Sequence, residues 1–95
     1  MMMAGEAIMI DVREAGEWAE ARIPGARFLP MSTINTWYEE LPTDTTIIVQ
    51  CRTGNRSHQV AYALISQAGI ENVANLQGGI VAWAQDELPI DVSPP

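Results

Sequence analysis

The chain has a single cysteine, Cys51, and it lies where the sequence favours a thiolate. The β-branched run before it predicts a strand over 46–50 that is buried on both faces. Apolar residues then recur at helical spacing over 57–68, and Gly69 is placed to end that helix. Cys51 is therefore expected at the junction of a buried strand and a helix start. The unsatisfied N–H groups and the dipole of a helix start stabilise a thiolate over a thiol.

Two of the five basic residues, Arg52 and Arg56, flank the loop that follows this thiol, and all five are arginine. A cation about 6 Å from the sulfur contributes roughly 2–3 kcal/mol at an effective dielectric of about 20. We therefore expect the arginines to lower the pKa of Cys51 and to attract a small anion. The net charge is −7, yet no acid occurs between Asp44 and Glu71. This gap predicts a local site that is free of acids and admits an anion. Alternatively, acids are absent there because core strands and helices contain few of them.

Four stretches of the chain resemble the motifs of rhodanese-type sulfurtransferases, in matching order and spacing. They are Ile10-Asp11-Val12-Arg13-Glu14, Ile23-Pro24-Gly25-Ala26, Cys51-Arg52-Thr53-Gly54-Asn55-Arg56-Ser57 and Leu76-Gln77-Gly78-Gly79-Ile80-Val81-Ala82-Trp83. The resemblance implies a parallel sheet flanked by helices. It also implies that Cys51 takes a sulfane sulfur from thiosulfate or a related donor, holds it as a persulfide and passes it to cyanide or a thiol. That covalent persulfide is the intermediate, and no separate cofactor is expected.

Within this reading, the substrate-binding residues are the six that follow the catalytic Cys51. Arg56, assisted by Arg52, is expected to hold the anion; alternatively Arg56 is an exposed first-turn residue and Arg52 points to water. The others are expected to shape the loop and donate N–H groups to the sulfur, and Ser57 could instead cap the helix. The predicted set is Arg52, Thr53, Gly54, Asn55, Arg56 and Ser57.

Asp11 and Arg13 are expected to support the site and not to react. They lie two residues apart at the end of a predicted strand, so their side chains share a face and can form an ion pair. His58 has no cysteine, second histidine or carboxylate arranged around it in the sequence. We therefore expect a surface histidine and no metal site.

Strands alternate with helices along the chain, which predicts an α/β fold with right-handed crossovers. We expect a small parallel sheet of about four to five strands with helices on both faces, and a site at the carboxyl ends of the strands. The first strand is expected to be central, and the residues after Leu88 to be loose. The predicted strands are 7–10, 26–29, 46–50 and 72–76, and the predicted helices are 14–21, 32–40, 57–68 and one opened by Gly78-Gly79.

Length and composition limit the domain organisation and the partners. Residues 1–95 are expected to form one domain with its core over about 8–88. We expect the N-terminal strand and helix of the family to be missing or shortened here, either because the native protein is longer or because this is a minimal version of the domain. In the minimal version, the edge beside 72–76 is expected to be exposed and the protein to be a monomer or a weak dimer. One cysteine forms no internal disulfide, and no lysine is present to neutralise phosphates. We therefore expect a cytoplasmic protein that binds neither nucleic acid nor a membrane.

Two other functions remain open from the sequence. Phosphatases and arsenate reductases use a similar thiolate loop, but four residues separate Cys51 from Arg56 here, one fewer than in those loops. Gln50 also precedes the cysteine, where those enzymes often have histidine. A noncatalytic binding module would more naturally have lost Cys51. The sequence does not identify the small anionic sulfur donor or the acceptor, which could be a small molecule or a protein. Arg22 also replaces a histidine that is frequent in the family.

Overall fold

The computed structural model describes residues 7–92, which form a four-stranded parallel sheet with helices on both faces. The elements are β1 (Ala7–Asp11), α1 (Ala15–Glu20), β2 (Ala21–Arg22), β3 (Arg27–Phe28), α2 (Ile34–Trp37), β4 (Thr46–Gln50), α3 (Asn55–Ser66), β5 (Val73–Asn75), α4 (Gly79–Gln85) and β6 (Asp91–Val92). The strand order is β3-β1-β4-β5, so β1 is central, as the sequence predicted. A second, antiparallel pair is formed by β2 and β6.

The alternation of side chains along the central strands divides the core into two layers. Ile47 and Val49 of β4 face α2 and α3, where they join Ile10 and Leu64 in the larger cluster. Ile48 faces the opposite layer, which includes Met9 and Ile80 of α4. Both faces of β1 and β4 are covered, which explains why their sequences are continuously apolar. The predicted α/β class and sheet are confirmed.

Two local predictions are wrong because tertiary contacts decide them. The residues after Leu88 are not all loose, since Asp91–Val92 pairs with Ala21–Arg22. The helical spacing of Ala15, Trp18 and Ala19 predicts one buried stripe, but helix α1 fully buries none of its residues. Its Trp18 instead packs on Phe28 with the ring centroids 5.3 Å apart. A helix of six residues at the edge of the sheet contributes one aromatic contact and no full apolar face.

The ends of the longer elements also differ from the sequence prediction. Helix α3 begins at Asn55, two residues earlier than predicted, and its N-cap is Gly54 at φ 104°. It ends at Ser66, and Gly69 follows at φ 73° where the chain reverses. The predicted helix over 32–40 is divided into two 3₁₀ turns, Met31–Thr33 and Tyr38–Glu40, around the short α2.

The outer edge of β5 has no partner strand within the part of the chain that is described. The exposure of the edge beside 72–76 and weak dimerisation through it both stay predictions. None of the helices in residues 7–92 has the length and apolar character needed to cross a bilayer.

Gln50 is the one polar side chain of β4 that points into the core. It is fully buried, and neither its amide oxygen nor its amide nitrogen has a hydrogen-bond partner among residues 7–92. It lies beside Asp11 in the β1–β4 register. An unpaired buried amide costs about 1–3 kcal/mol, so this position lowers the stability of the fold.

We predict that Gln50→Met raises the free energy of unfolding by about 1–2 kcal/mol, because it removes the unpaired amide at similar volume. Urea denaturation of both proteins measures the difference. The same substitution at the exposed Gln59 of α3 is the control and should change stability by less than about 0.5 kcal/mol. A loss of stability in Gln50→Met would contradict the prediction.

Candidate functional site

Cys51 lies directly after β4, with its side chain under the loop that leads into α3. It is 1% exposed and belongs to the core cluster on the α3 side of the sheet. The Gly54 N–H donates to Cys51 Sγ at 3.1 Å, and Ser57 Oγ lies 3.5 Å from the same sulfur. The loop therefore wraps polar donors around a sulfur that strand β4 holds in an apolar layer.

The balance of burial and hydrogen bonding sets the acidity of this thiol. Burial raises the pKa of Cys51, but hydrogen bonds from the Ser57 hydroxyl and from the N–H groups of Ser57, Gly54 and Thr53 outweigh it. The pKa therefore lies below the ordinary value, as predicted. The N–H groups at the start of α3 lower the pKa of Cys51 as predicted, but the arginines are not among the main groups that lower it.

Asn75 at the end of β5 completes this polar cluster, and the sequence reading missed it. Ser57 Oγ donates to Asn75 Oδ1 at 2.5 Å, and Asn75 Nδ2 lies 3.5 Å from the Gly54 carbonyl oxygen. Ser57 is fully buried and follows the N-cap of α3, so the alternative that it caps the helix is wrong. A polar residue at the carboxyl end of a predicted parallel strand was the available signal for Asn75.

The first turn of α4 holds the loop from the other side of the sheet. The Ile80 N–H donates to the Cys51 carbonyl at 2.9 Å, and the Val81 N–H donates to the Arg52 carbonyl at 3.1 Å. A Cβ on Gly79 would lie 2.3 Å from the Cys51 carbonyl oxygen, so only glycine permits this approach. Gly78-Gly79 thus fixes the path of the loop and does more than turn the chain.

Arg56 is paired with an acid, contrary to the expectation of an acid-free site. Its Nη1 and Nη2 donate to the two carboxylate oxygens of Glu17, each at 2.7 Å. Both side chains are 31% exposed. Glu17 is 39 residues away in sequence, and packing of α1 beside the loop brings it there. The gap in acids along the sequence therefore did not predict a gap in space.

The remaining loop residues lie at the surface. Thr53, Asn55 and Arg52 are exposed. The side chain of Arg52 has no ion-pair or hydrogen-bond partner within residues 7–92, and it lines a groove of about 300 Å³ together with Ile80, Glu20 and other residues. Whether the six loop residues bind substrate stays a prediction. The structure brings the Ser57 hydroxyl and the Gly54 N–H to the sulfur. It places the Arg52 side chain in the groove lined by Ile80 of α4, on the other side of the sheet.

Asp11 and Arg13 form the buried ion pair that the sequence suggested. Arg13 Nη2 lies 2.7 Å from Asp11 Oδ2 and also donates to the Ala21 carbonyl at 2.6 Å. The Arg13 N–H donates to Asp11 Oδ1 at 3.0 Å, which curls the chain after β1. The pair joins β1 to the end of α1 and so helps to position Glu17. His58 is exposed, and no cluster of metal-ligating side chains is present in the described residues.

Comparisons with known proteins point in one direction. A family model described as Rhodanese-like domain matches residues 1–86. A protein named sulfurtransferase from Allochromatium vinosum is 42% identical over 85 residues, 90% of this chain and 78% of that protein. A thiosulfate sulfurtransferase GlpE from Glaesserella parasuis is 32% identical over 92 residues, 97% of this chain and 84% of that protein. The structure of a rhodanese-related protein from Thermoplasma volcanium matches with a TM-score of 0.81 at 29% identity, covering 90% of this chain and 83% of that one.

We predict that Ser57→Ala raises the pKa of Cys51, because the hydroxyl is the strongest donor opposing burial. The pKa is measured from the thiolate absorbance as pH is raised, or from the pH dependence of alkylation by iodoacetamide. Ser66→Ala on the same helix is the matched control, since the Ser66 hydroxyl is exposed and donates to the Tyr62 carbonyl, away from the sulfur. An unchanged titration in Ser57→Ala would contradict the assignment.

A second prediction concerns Glu17 and acid stability. Hydrogen bonds from Arg56 lower the pKa of Glu17 from 4.5 to about 2 in the folded protein. The pair therefore stabilises the fold above the unfolded value of 4.5, and this contribution is lost as pH falls from 4.5 towards about 2.

Glu17→Gln removes this titration. From about pH 6 to about pH 3, its free energy of unfolding should fall by about 1 kcal/mol less than that of the wild type, a value reduced for partial exposure. Glu71→Gln, at an exposed carboxylate with no partner in the described part of the chain, should follow the wild type. An equal fall in Glu17→Gln and the wild type, measured by urea denaturation, would refute the role of the pair.

Proposed function

Because this chain belongs to the rhodanese-like domain family, we propose that it is a sulfurtransferase that carries a sulfane sulfur on Cys51. The observation that carries the proposal is the set of donors at the sulfur, which holds the pKa of Cys51 below its ordinary value despite 1% exposure. Relatives named sulfurtransferase and thiosulfate sulfurtransferase support the reaction class. Thiosulfate or a related sulfane-sulfur compound is the proposed donor.

In the loading step, the Cys51 thiolate attacks the outer sulfur of the donor. A new S–S bond forms on Cys51 while the donor S–S bond breaks. The electron pair of the broken bond leaves with the remainder of the donor, as sulfite when the donor is thiosulfate. The step needs no external oxidant, because the sulfur arrives already in the sulfane state.

The loop is suited to hold the transferred atom. A terminal persulfide sulfur carries negative charge at neutral pH, and the N–H groups of Gly54 and its neighbours already converge on Cys51 Sγ. Such backbone donors stabilise an anion without needing to move during the reaction. The near-complete burial of Cys51 admits a slender terminal sulfur more readily than a tetrahedral phosphate. This favours sulfur transfer over phosphoryl chemistry at the same loop.

The unloading step requires an acceptor from outside the chain. Cys51 is the single cysteine, so no internal thiol can resolve the persulfide. Cyanide, a small thiol or a protein thiol attacks the outer sulfur, and the bonding pair returns to Cys51 as thiolate. The cycle then begins again from the same ionised state that the loop stabilises.

Incubation with thiosulfate should add one sulfur mass to Cys51, and cyanide should then release thiocyanate and restore the original mass. Cys51→Ser should show neither change, because a serine hydroxyl does not ionise near neutral pH. Intact mass spectrometry and colorimetric thiocyanate detection measure the two steps. Ser66→Ala, remote from the sulfur, should behave as the wild type.

The competing functions give different outcomes in the same assays. Thiocyanate formation by Cys51→Ser would refute the proposed mechanism. Hydrolysis of an aryl phosphate at a rate comparable to sulfur transfer would favour the phosphatase alternative. A Cys51 that gains no mass and supports no hydrolysis would indicate a noncatalytic binding module.

A further inference from the structure

The charges around the site loop are largely cancelled in pairs. Asp11 neutralises Arg13 inside the protein, and Glu17 neutralises Arg56 at the loop. Arg52 is the loop cation without a partner in the described residues. The groove beside it also contains the Glu20 carboxylate. A doubly charged anion that enters this site therefore meets little net positive charge, and the net charge of the whole protein is −7.

The hydrogen bonds of Glu17 hold its carboxylate against Arg56, so the two charges stay paired. Its Oε1 accepts the Glu14 N–H at 3.1 Å, which anchors the carboxylate at the start of α1. Both oxygens also accept hydrogen bonds from Arg56 in a two-point contact. Hydrogen bonds from Arg56 lower the pKa of Glu17 to about 2, so the carboxylate stays ionised at neutral pH. Arg56 is thus a neutralised cation in the folded state and not a free anion receptor.

We propose that Glu17, by neutralising Arg56, selects a thiol persulfide with a singly charged or neutral reacting end over the dianion thiosulfate as the sulfur donor. This inference rests on the proposed sulfurtransferase function. Both donors deliver the same atom: the Cys51 thiolate forms a bond to the outer sulfur, and the donor S–S bond breaks. The leaving group is a thiolate, which takes a proton from water, or sulfite. The donors differ in the charge that must approach the thiolate, and this is the quantity that Glu17 controls.

Glu17→Gln is a conservative test of this role. Glutamine can still accept the Glu14 N–H and one hydrogen bond from Arg56, so the start of α1 is retained. The substitution removes the carboxylate that pairs with Arg56 and so frees most of its positive charge, with Glu14 the remaining acid that acts on it. We expect the rate constant for loading from thiosulfate to rise by about tenfold, with a smaller change for the persulfide of 2-mercaptoethanol, whose body is uncharged.

Single-turnover loading of Cys51 measures both rate constants by quenched mass spectrometry, and their ratio is the readout. Glu71→Gln is the matched control, since it removes the same charge from the opposite end of the sheet, before β5. Its ratio should equal that of the wild type. Glu17→Gln/Arg56→Gln removes both members of the pair and restores the wild-type net charge, so its ratio should return to near the wild-type value. Circular dichroism confirms that each variant is folded.

Each alternative result has a definite meaning. An unchanged ratio in Glu17→Gln would overturn the inference while leaving sulfur transfer intact. Slower loading of Glu17→Gln from both donors would also overturn the inference. Glu17 would then serve to position Arg56 and not to neutralise its positive charge. A wild type that loads from neither donor would refute the proposed function itself, and this inference with it.

Discussion

The hydrogen bonds from the first turn of α4 to the carbonyl oxygens of Cys51 and Arg52 are the contacts on which the site depends. A loop can turn its N–H groups towards one sulfur only if its carbonyl oxygens find donors elsewhere, because unpaired buried carbonyls are costly. Helix α4 supplies those donors from the opposite face of the sheet. Gly79 permits the close approach, since any Cβ there would collide with the Cys51 and Arg52 backbone. The conformation around Cys51 is therefore imposed by both layers of the fold.

Hydrogen bonds, and not a free arginine, stabilise the Cys51 thiolate, and this limits the electric field at the protein surface. Hydrogen bonds act only at contact distance, so they favour the charge on the sulfur without creating a strong field at the surface. Ser57 contributes a hydroxyl whose single proton can be given to Asn75 Oδ1 or to the sulfur. In the thiol form the proton goes to Asn75, whereas ionisation of Cys51 draws it to the sulfur. The site can thus respond to the charge on Cys51 by rotation of one hydroxyl group.

Local sequence patterns were sufficient for much of the fold and for part of the site. The β-branched run and the helical spacing after the loop predicted the strand and the helix around Cys51, because each pattern acts over a few residues. The position of Cys51 at a strand end followed from the same patterns. Glu17, Asn75 and the pairing of Asp91–Val92 did not follow, since each depends on contacts between segments distant in sequence. Charge counting along the chain failed at Arg56 for this reason.

The register of the sheet explains how such a small domain brings these distant groups together. Parallel pairing of β1, β4 and β5 aligns their carboxyl ends, where Asp11, Cys51 and Asn75 follow or end the strands. Asn75 is paired with Val49 and therefore shares the α3 face of the sheet with Cys51. A slip of β5 by one residue would turn Asn75 to the other face and present Ala74 or Leu76 to Ser57 instead. The apolar residues Val73 and Ile47, which pair two residues earlier on the same face, oppose that slip because it would move Val73 out of the core layer. Core packing thus holds the polar cluster around the sulfur in register, although the aliphatic core residues that pack there take no part in the proposed chemistry.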